Sequence, residues 1–102
     1  MERTLNDFDI NRSVFLFRDF TQESSEELIK DILDLNDKNK SEEINIFINS
    51  YGGAVYSLFA ILDTINSIDA PVNTICLGEA DSCGALLLSA GDKRYIGNNS
   101  RA

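Results

Sequence analysis

Apolar residues recur along this chain with two different periods, and the points where the period changes mark its elements. Val14-Phe15-Leu16-Phe17 is a short apolar run that reads as a strand. From Thr21 the spacing becomes helical: Leu28, Ile29, Ile32, Leu33 and Leu35 define one core-facing side of a helix. Its start is expected at Ser24-Ser25-Glu26-Glu27, an S-x-x-E capping box in which hydroxyl and carboxylate satisfy exposed backbone N–H groups. Asn36 to Ser41 is a polar turn, and Ile44-Asn45-Ile46-Phe47-Ile48 is β-rich and nearly continuous in apolar residues, as a buried strand requires. Val55, Leu58, Phe59, Leu62 and Ile65 then predict a helix from about Ala54 to Ile68, stopped ahead of Pro71, the only proline. Val72 to Leu77 is a third strand and Gly78 to Asp81 a turn. Ser82 to Ala90 is a short helix with Gly91 as its C-terminal cap, and Arg94-Tyr95-Ile96 a last strand.

Strands alternating with helices predict an α/β fold with mainly parallel pairing and right-handed crossovers. The chain has 102 residues, enough for one core and too few for two. Residues 1–12 are polar and weakly patterned, an expected arm or loop, and residues 13–102 form the expected domain. Alternation puts Asn45 and Phe47 on one strand face, with Ile75 and Leu77 on the same side. That group is either ordinary core or an apolar docking patch.

Charge and composition narrow the function classes. Seventeen acidic residues against nine basic ones give a formal net charge of −8, which repels phosphate backbones and anionic lipid, so neither nucleic acid nor membrane is an expected partner. No apolar run approaches a membrane span and the first residues lack a signal-peptide pattern, so a cytoplasmic location is expected. With two cysteines, Cys76 and Cys83, and no histidine, no metal or cofactor is implied, and a disulfide between these thiols is not expected.

Two turns lie where such sheets hold ligands, at the carboxyl ends of strands that lead into helices. Gly52-Gly53 lets the backbone adopt positive φ or approach a substrate closely, although a plain tight turn has the same composition. In Ala80-Asp81-Ser82-Cys83-Gly84-Ala85 a serine opens a helix between small residues. Its hydroxyl is either an N-cap, the commonest role for serine there, or an exposed nucleophile beside oxyanion-stabilising N–H groups.

Five ordered segments give these turns a context: Ile48-Asn49-Ser50-Tyr51-Gly52-Gly53, Ala60 to Ile65, Thr74 to Gly78, Ala80 to Ala85, and Ala90 to Tyr95 with Asn99-Ser100-Arg101. In order and spacing they resemble the proteolytic subunit of the Clp proteases, from about Val14 to Ala102. The resemblance implies a ClpP/crotonase-like fold. It also implies a serine endopeptidase subunit of an ATP-dependent protease that assembles into homo- or hetero-oligomeric rings and receives polypeptide substrate from an AAA+ unfoldase. It aligns Ser82 with the nucleophile, and Gly53 and Cys83 with the residues whose backbone N–H groups form the oxyanion hole. The crotonase branch, acting on acyl-CoA, shares the fold, but the serine and the Asn-Ser-x-Gly-Gly turn favour the peptidase branch.

Departures from the family pattern limit what this implies. Tyr51 stands in place of the proline before the two glycines, Asp81 in place of a small apolar residue, and Cys83 in place of methionine. A carboxylate beside Ser82 disfavours an alkoxide, so Asp81 is expected to face solvent or cap the helix. The family's histidine and aspartate positions follow the Asn99-Ser100-Arg101 segment and fall past Ala102, so these residues alone are expected to be inert. Lys93, the nearest lysine, precedes a strand and is not expected to replace the base. The alternative is a non-catalytic subunit or interaction module of a Clp-like ring.

Overall fold

A computed structural model describes residues 3–102, so Met1 and Glu2 of the expected arm lie outside the described residues. Four strands, β1 (Ser13–Leu16), β2 (Ile44–Ser50), β3 (Val72–Ala80) and β4 (Lys93–Ile96), alternate with three helices, α1 (Gln22–Lys38), α2 (Val55–Ser67) and α3 (Cys83–Ser89). All strand pairs are parallel and their order in the sheet is their order in the chain, β1-β2-β3-β4. This is the α/β, ClpP/crotonase-like architecture the periodicity and the motifs predict. Crossovers of one hand between successive neighbours bring the helices to one side of the sheet. There Leu28 and Ile32 of α1, Leu58 and Ile61 of α2 and Leu87 of α3 bury Val14, Ile46, Ile48 and Cys76.

The opposite face carries the row Phe15, Phe47, Ile75 and Tyr95, one residue from each strand in register. Phe8, just beyond the 3-10 turn Leu5–Asp7, packs edge-on against Phe47 at 5.6 Å and Tyr95 at 5.3 Å. Phe47 and Ile75 are therefore buried in a second, smaller core, with Leu77 and Tyr95 at its margin. Phe47 and Ile75 are thus core positions, while Leu77 and Phe15 on the same face keep part of their surface exposed. The hydroxyl and amides of Ser13, Asn45 and Asn73 make a polar row beside it.

Several boundaries differ from expectation for identifiable reasons. The N-cap of α1 is Thr21, three residues before the expected start, and the reciprocal box joins Thr21 to Ser24, whose hydroxyl accepts the Thr21 N–H. Ser24 is close enough to a cap in composition to be mistaken for one. Gly91 is not a left-handed cap: α3 ends at Ala90 in a right-handed conformation, and Gly91 is small because it abuts β3, where a Cβ would stand 2.4 Å from the Thr74 hydroxyl. The expected turn after Leu77 is strand, since β3 continues to Ala80 and rejoins β2 through Ser50 after a register shift.

Arg12, in the 3-10 turn Ile10–Arg12, is buried, and its guanidinium donates to the carbonyls of Leu35, Asn39, Glu42 and Glu43. It closes the C-terminal end of α1, where carbonyls lack intrahelical partners and cations are favoured. Among the described residues no helix is long and apolar enough to cross a membrane.

Candidate active site

β2 ends at Ser50, whose hydroxyl accepts the Gly52 N–H at 3.1 Å and bends the chain into the glycine turn. Gly52 and Gly53 have φ of 114° and 141°, values that L side chains rarely adopt. Phe20 runs alongside: its N–H donates to the Gly52 carbonyl at 2.7 Å and its carbonyl accepts the Ala54 N–H at 2.8 Å. A Cβ on Gly53 would lie 2.4 Å from the Phe20 carbonyl oxygen, so glycine is needed for this approach as well as for φ. Gly52 and Ala54 thus bond toward Phe20, and the alternation of extended backbone leaves Gly53 facing the other way. On that side the Cys83 thiol donates to the Gly53 carbonyl at 3.5 Å.

The second turn meets the first. A Cβ on Gly52 would fall 2.9 Å from the Ser82 Cβ, 3.0 Å from the Asp81 carbonyl oxygen and 3.2 Å from the Cys83 nitrogen. The elbow at Ser82 therefore occupies the space that a side chain at position 52 would need. Ser82 itself has φ 51° and ψ −117°, the only non-glycine residue with positive φ among the described residues. Conformations of this kind cost about 1–3 kcal/mol and persist where the surroundings enforce them.

Ser82 stands at the N-cap position of α3 but makes no capping hydrogen bond, and the residue is exposed. An ordinary N-cap has extended backbone and a bonded side chain, so the capping role is not the one this geometry serves. α3 begins through main-chain bonds instead, from Gly84 N–H to the Asp81 carbonyl at 2.8 Å and from Leu86 N–H to the Ser82 carbonyl at 3.1 Å. The N–H groups of Gly53 and Cys83 donate no hydrogen bond among the described residues.

The charges around the elbow come from β3 and the segment after β4. Arg101 pairs with the end of β3 as a short parallel bridge, its N–H donating to Gly78 at 3.0 Å and its carbonyl accepting from Ala80 at 2.9 Å. Its guanidinium stands 3.5 Å from the Asp81 carboxylate. Asp81 is thus held in an ion pair, neither capping α3 nor left to solvent alone. A hydrogen bond with Glu79, helped by attraction to Arg101, holds the Asp81 carboxyl below its ordinary range, and the reciprocal bond raises Glu79. Burial, with the field of these two carboxylates, pushes the Cys76 thiol up. Both cysteines are free and buried.

Of the residues singled out in the sequence, Ser82, Gly53 and Cys83 come together. Lys93 does not: it pairs in register with Asn73 near the start of β3, while Ser82 follows the end of that strand at Ala80. At about 3.3 Å per residue the strand from Asn73 to Ala80 alone spans roughly 20 Å. Phe20, which fixes the glycine turn, carries no signal in the sequence beyond being an apolar residue before a helix.

A family model described as Clp protease matches residues 2–102. The ATP-dependent Clp protease proteolytic subunit of Deinococcus radiodurans is 41% identical over 83 residues, which are 81% of this chain and 41% of that protein. The chain spans about two fifths of the length of that curated relative.

Proposed function

The chain belongs to the Clp protease family, and from that premise we propose that it supplies the nucleophile and oxyanion half of a serine endopeptidase site. The observation that supports this most is the meeting of the two turns, with Ser82 strained, exposed and uncapped against Gly52. In this reading the Ser82 oxygen attacks a peptide carbonyl and the oxygen of the tetrahedral intermediate accepts from the Gly53 and Cys83 N–H groups. Both are main-chain donors, so methionine or cysteine at position 83 serves equally. Ser82 needs a base to take its proton, and the 102 residues contain no histidine. Alone they carry only the weak catalysis of an oxyanion hole.

The substrate is unfolded polypeptide, delivered by an AAA+ unfoldase to a homo- or hetero-oligomeric ring in the cytoplasm. Tyr51 and Asp81, which depart from the family pattern at the two turns, favour a second reading: a non-catalytic subunit that joins a ring of active partners.

Fluorophosphonate labelling separates these ideas. The 102-residue chain is expected to label at a negligible rate, and brisk labelling would overturn its inertness. Added imidazole, acting as an external base, is expected to raise labelling at Ser82 and nowhere else. If imidazole leaves Ser82 unlabelled, or if Ser82→Ala leaves the activity of a reconstituted mixed ring unchanged, the non-catalytic reading stands instead.

A further inference from the structure

β1 is an edge strand, paired only with β2 among the described residues. The direction of its free groups follows from one bond: Ser13 donates its N–H to the Ile10 carbonyl, so that amide does not serve the ladder with β2. Alternation then turns the N–H and C=O of Phe15 to the outer edge, while Val14 and Leu16 bond inward. The outer edge is flanked by two different surfaces. On the helix side a cleft of about 340 Å³ is lined by Ser13, Val14, Phe15, Leu35 and the carboxylates of Asp31 and Asp34. On the other side the half-exposed rings of Phe15 and Phe17 lie edge-on at 5.8 Å, with Phe15 stacked on Phe47 at 5.0 Å.

We propose that this edge docks an extended segment of another polypeptide as an added strand, with basic side chains facing α1 and apolar ones facing Phe15 and Phe17. A strand laid here gains main-chain bonds at Phe15, and its side chains alternate between the two flanks. Lys or Arg fits the flank holding Asp31 and Asp34. Asp34 is shared with Lys38 at 3.0 Å, whereas Asp31 has no ion pair among the described residues. A second copy of the chain fits poorly: its net charge is −8, and pairing β1 with its copy sets Asp31 and Asp34 against identical carboxylates. The surface lies apart from Ser82 and does not depend on the peptidase reading.

The test is an NMR titration of the 102-residue chain with acetyl-Lys-Val-Lys-Val-Lys-Val-amide. Its Glu-Val counterpart and a form N-methylated on alternate residues serve as controls. Bound Lys-Val peptide is expected to slow amide exchange at Phe15 by about tenfold or more and to leave the other sheet edge, at Lys93–Ile96, unchanged. Asp31→Lys with Asp34→Lys, both exposed on α1, is expected to weaken binding by about tenfold, and N-methylation is expected to abolish it. Equal binding of the N-methylated peptide would reduce the effect to charge adhesion and overturn added-strand docking. So would protection confined to β4, equal affinity for the Glu-Val peptide, or concentration-dependent protection of Phe15 without peptide, which is the mark of self-pairing.

Discussion

The two turns that frame the candidate site solve the same geometric problem in opposite ways. At the end of β2 the chain takes φ of 114° and 141° with glycines, and Phe20 locks the result through two main-chain bonds. At the end of β3 it takes φ of 51° with a serine, and the surroundings hold it there: the Ser50 carbonyl accepts the Asp81 N–H at 3.0 Å and Arg101 brackets Gly78 to Ala80. One turn removes the side chain to remove the strain. The other keeps a side chain and accepts strain, and its hydroxyl makes no capping bond in return.

Substitutions test that contrast, beginning with the largest effect. Gly53→Ala drives a Cβ into the Phe20 carbonyl at a forbidden φ, and is expected to cost about 3 kcal/mol or more in urea unfolding. Gly52→Ala brings a Cβ to 2.9 Å from the Ser82 Cβ and 3.0 Å from the Asp81 carbonyl oxygen, less severe approaches than the one at Gly53, so about 2 kcal/mol is expected. Equal costs at the two positions would mean that Phe20 adds nothing to the first turn.

Ser82→Gly reverses the sign. Relief of positive φ is expected to stabilise the chain by about 1 kcal/mol, read as a higher Tm. Ser82→Ala is expected to change stability by less than about 0.5 kcal/mol, whereas a working N-cap serine would lose about 1 kcal/mol. A clear loss in Ser82→Ala would restore the capping role.

The smallest effect is in pH dependence. Glu79 is raised in the fold, so its contribution is present while it is protonated and is lost as pH rises through its folded value; Asp81 is lowered, so its contribution is lost as pH falls through its own. Glu79→Gln retains a donor to Asp81 but cannot ionise. Across about pH 4 to 6, near and above the usual carboxylate range, its Tm is expected to rise relative to the parent as pH increases. Identical slopes would dissolve the Glu79–Asp81 bond.

Much of the fold was legible. Runs such as Ile44 to Ile48 and the helical spacing from Val55 to Ile65 report burial directly, and burial selects period before it selects partners. Boundaries were less so: Thr21 and Ser24 are both capping residues, and only the observed bonds assign the N-cap to Thr21. The small size of Gly91 reads as a cap in the sequence, while its cause is the approach of Thr74. For the site, motif spacing pointed to Ser82, Gly53 and Cys83, yet local composition left a cap and a tight turn standing beside the catalytic reading. What removed the cap was a dihedral angle and a missing hydrogen bond.

By itself, then, the sequence determined the alternation of strands and helices, the charge, the absence of any histidine and the motif order, because these depend on residue type and near neighbours. The tertiary structure decided that Phe20 and Gly53 lie side by side, that Asp81 is held by Arg101, and that Lys93 is at the far end of the sheet from Ser82. It also decided that Ser82 is strained against Gly52, since the two residues are separated by a helix and a strand and meet only through the parallel register of β2 and β3. Register is a long-range property, set by the packing of whole faces, and no local pattern encodes it.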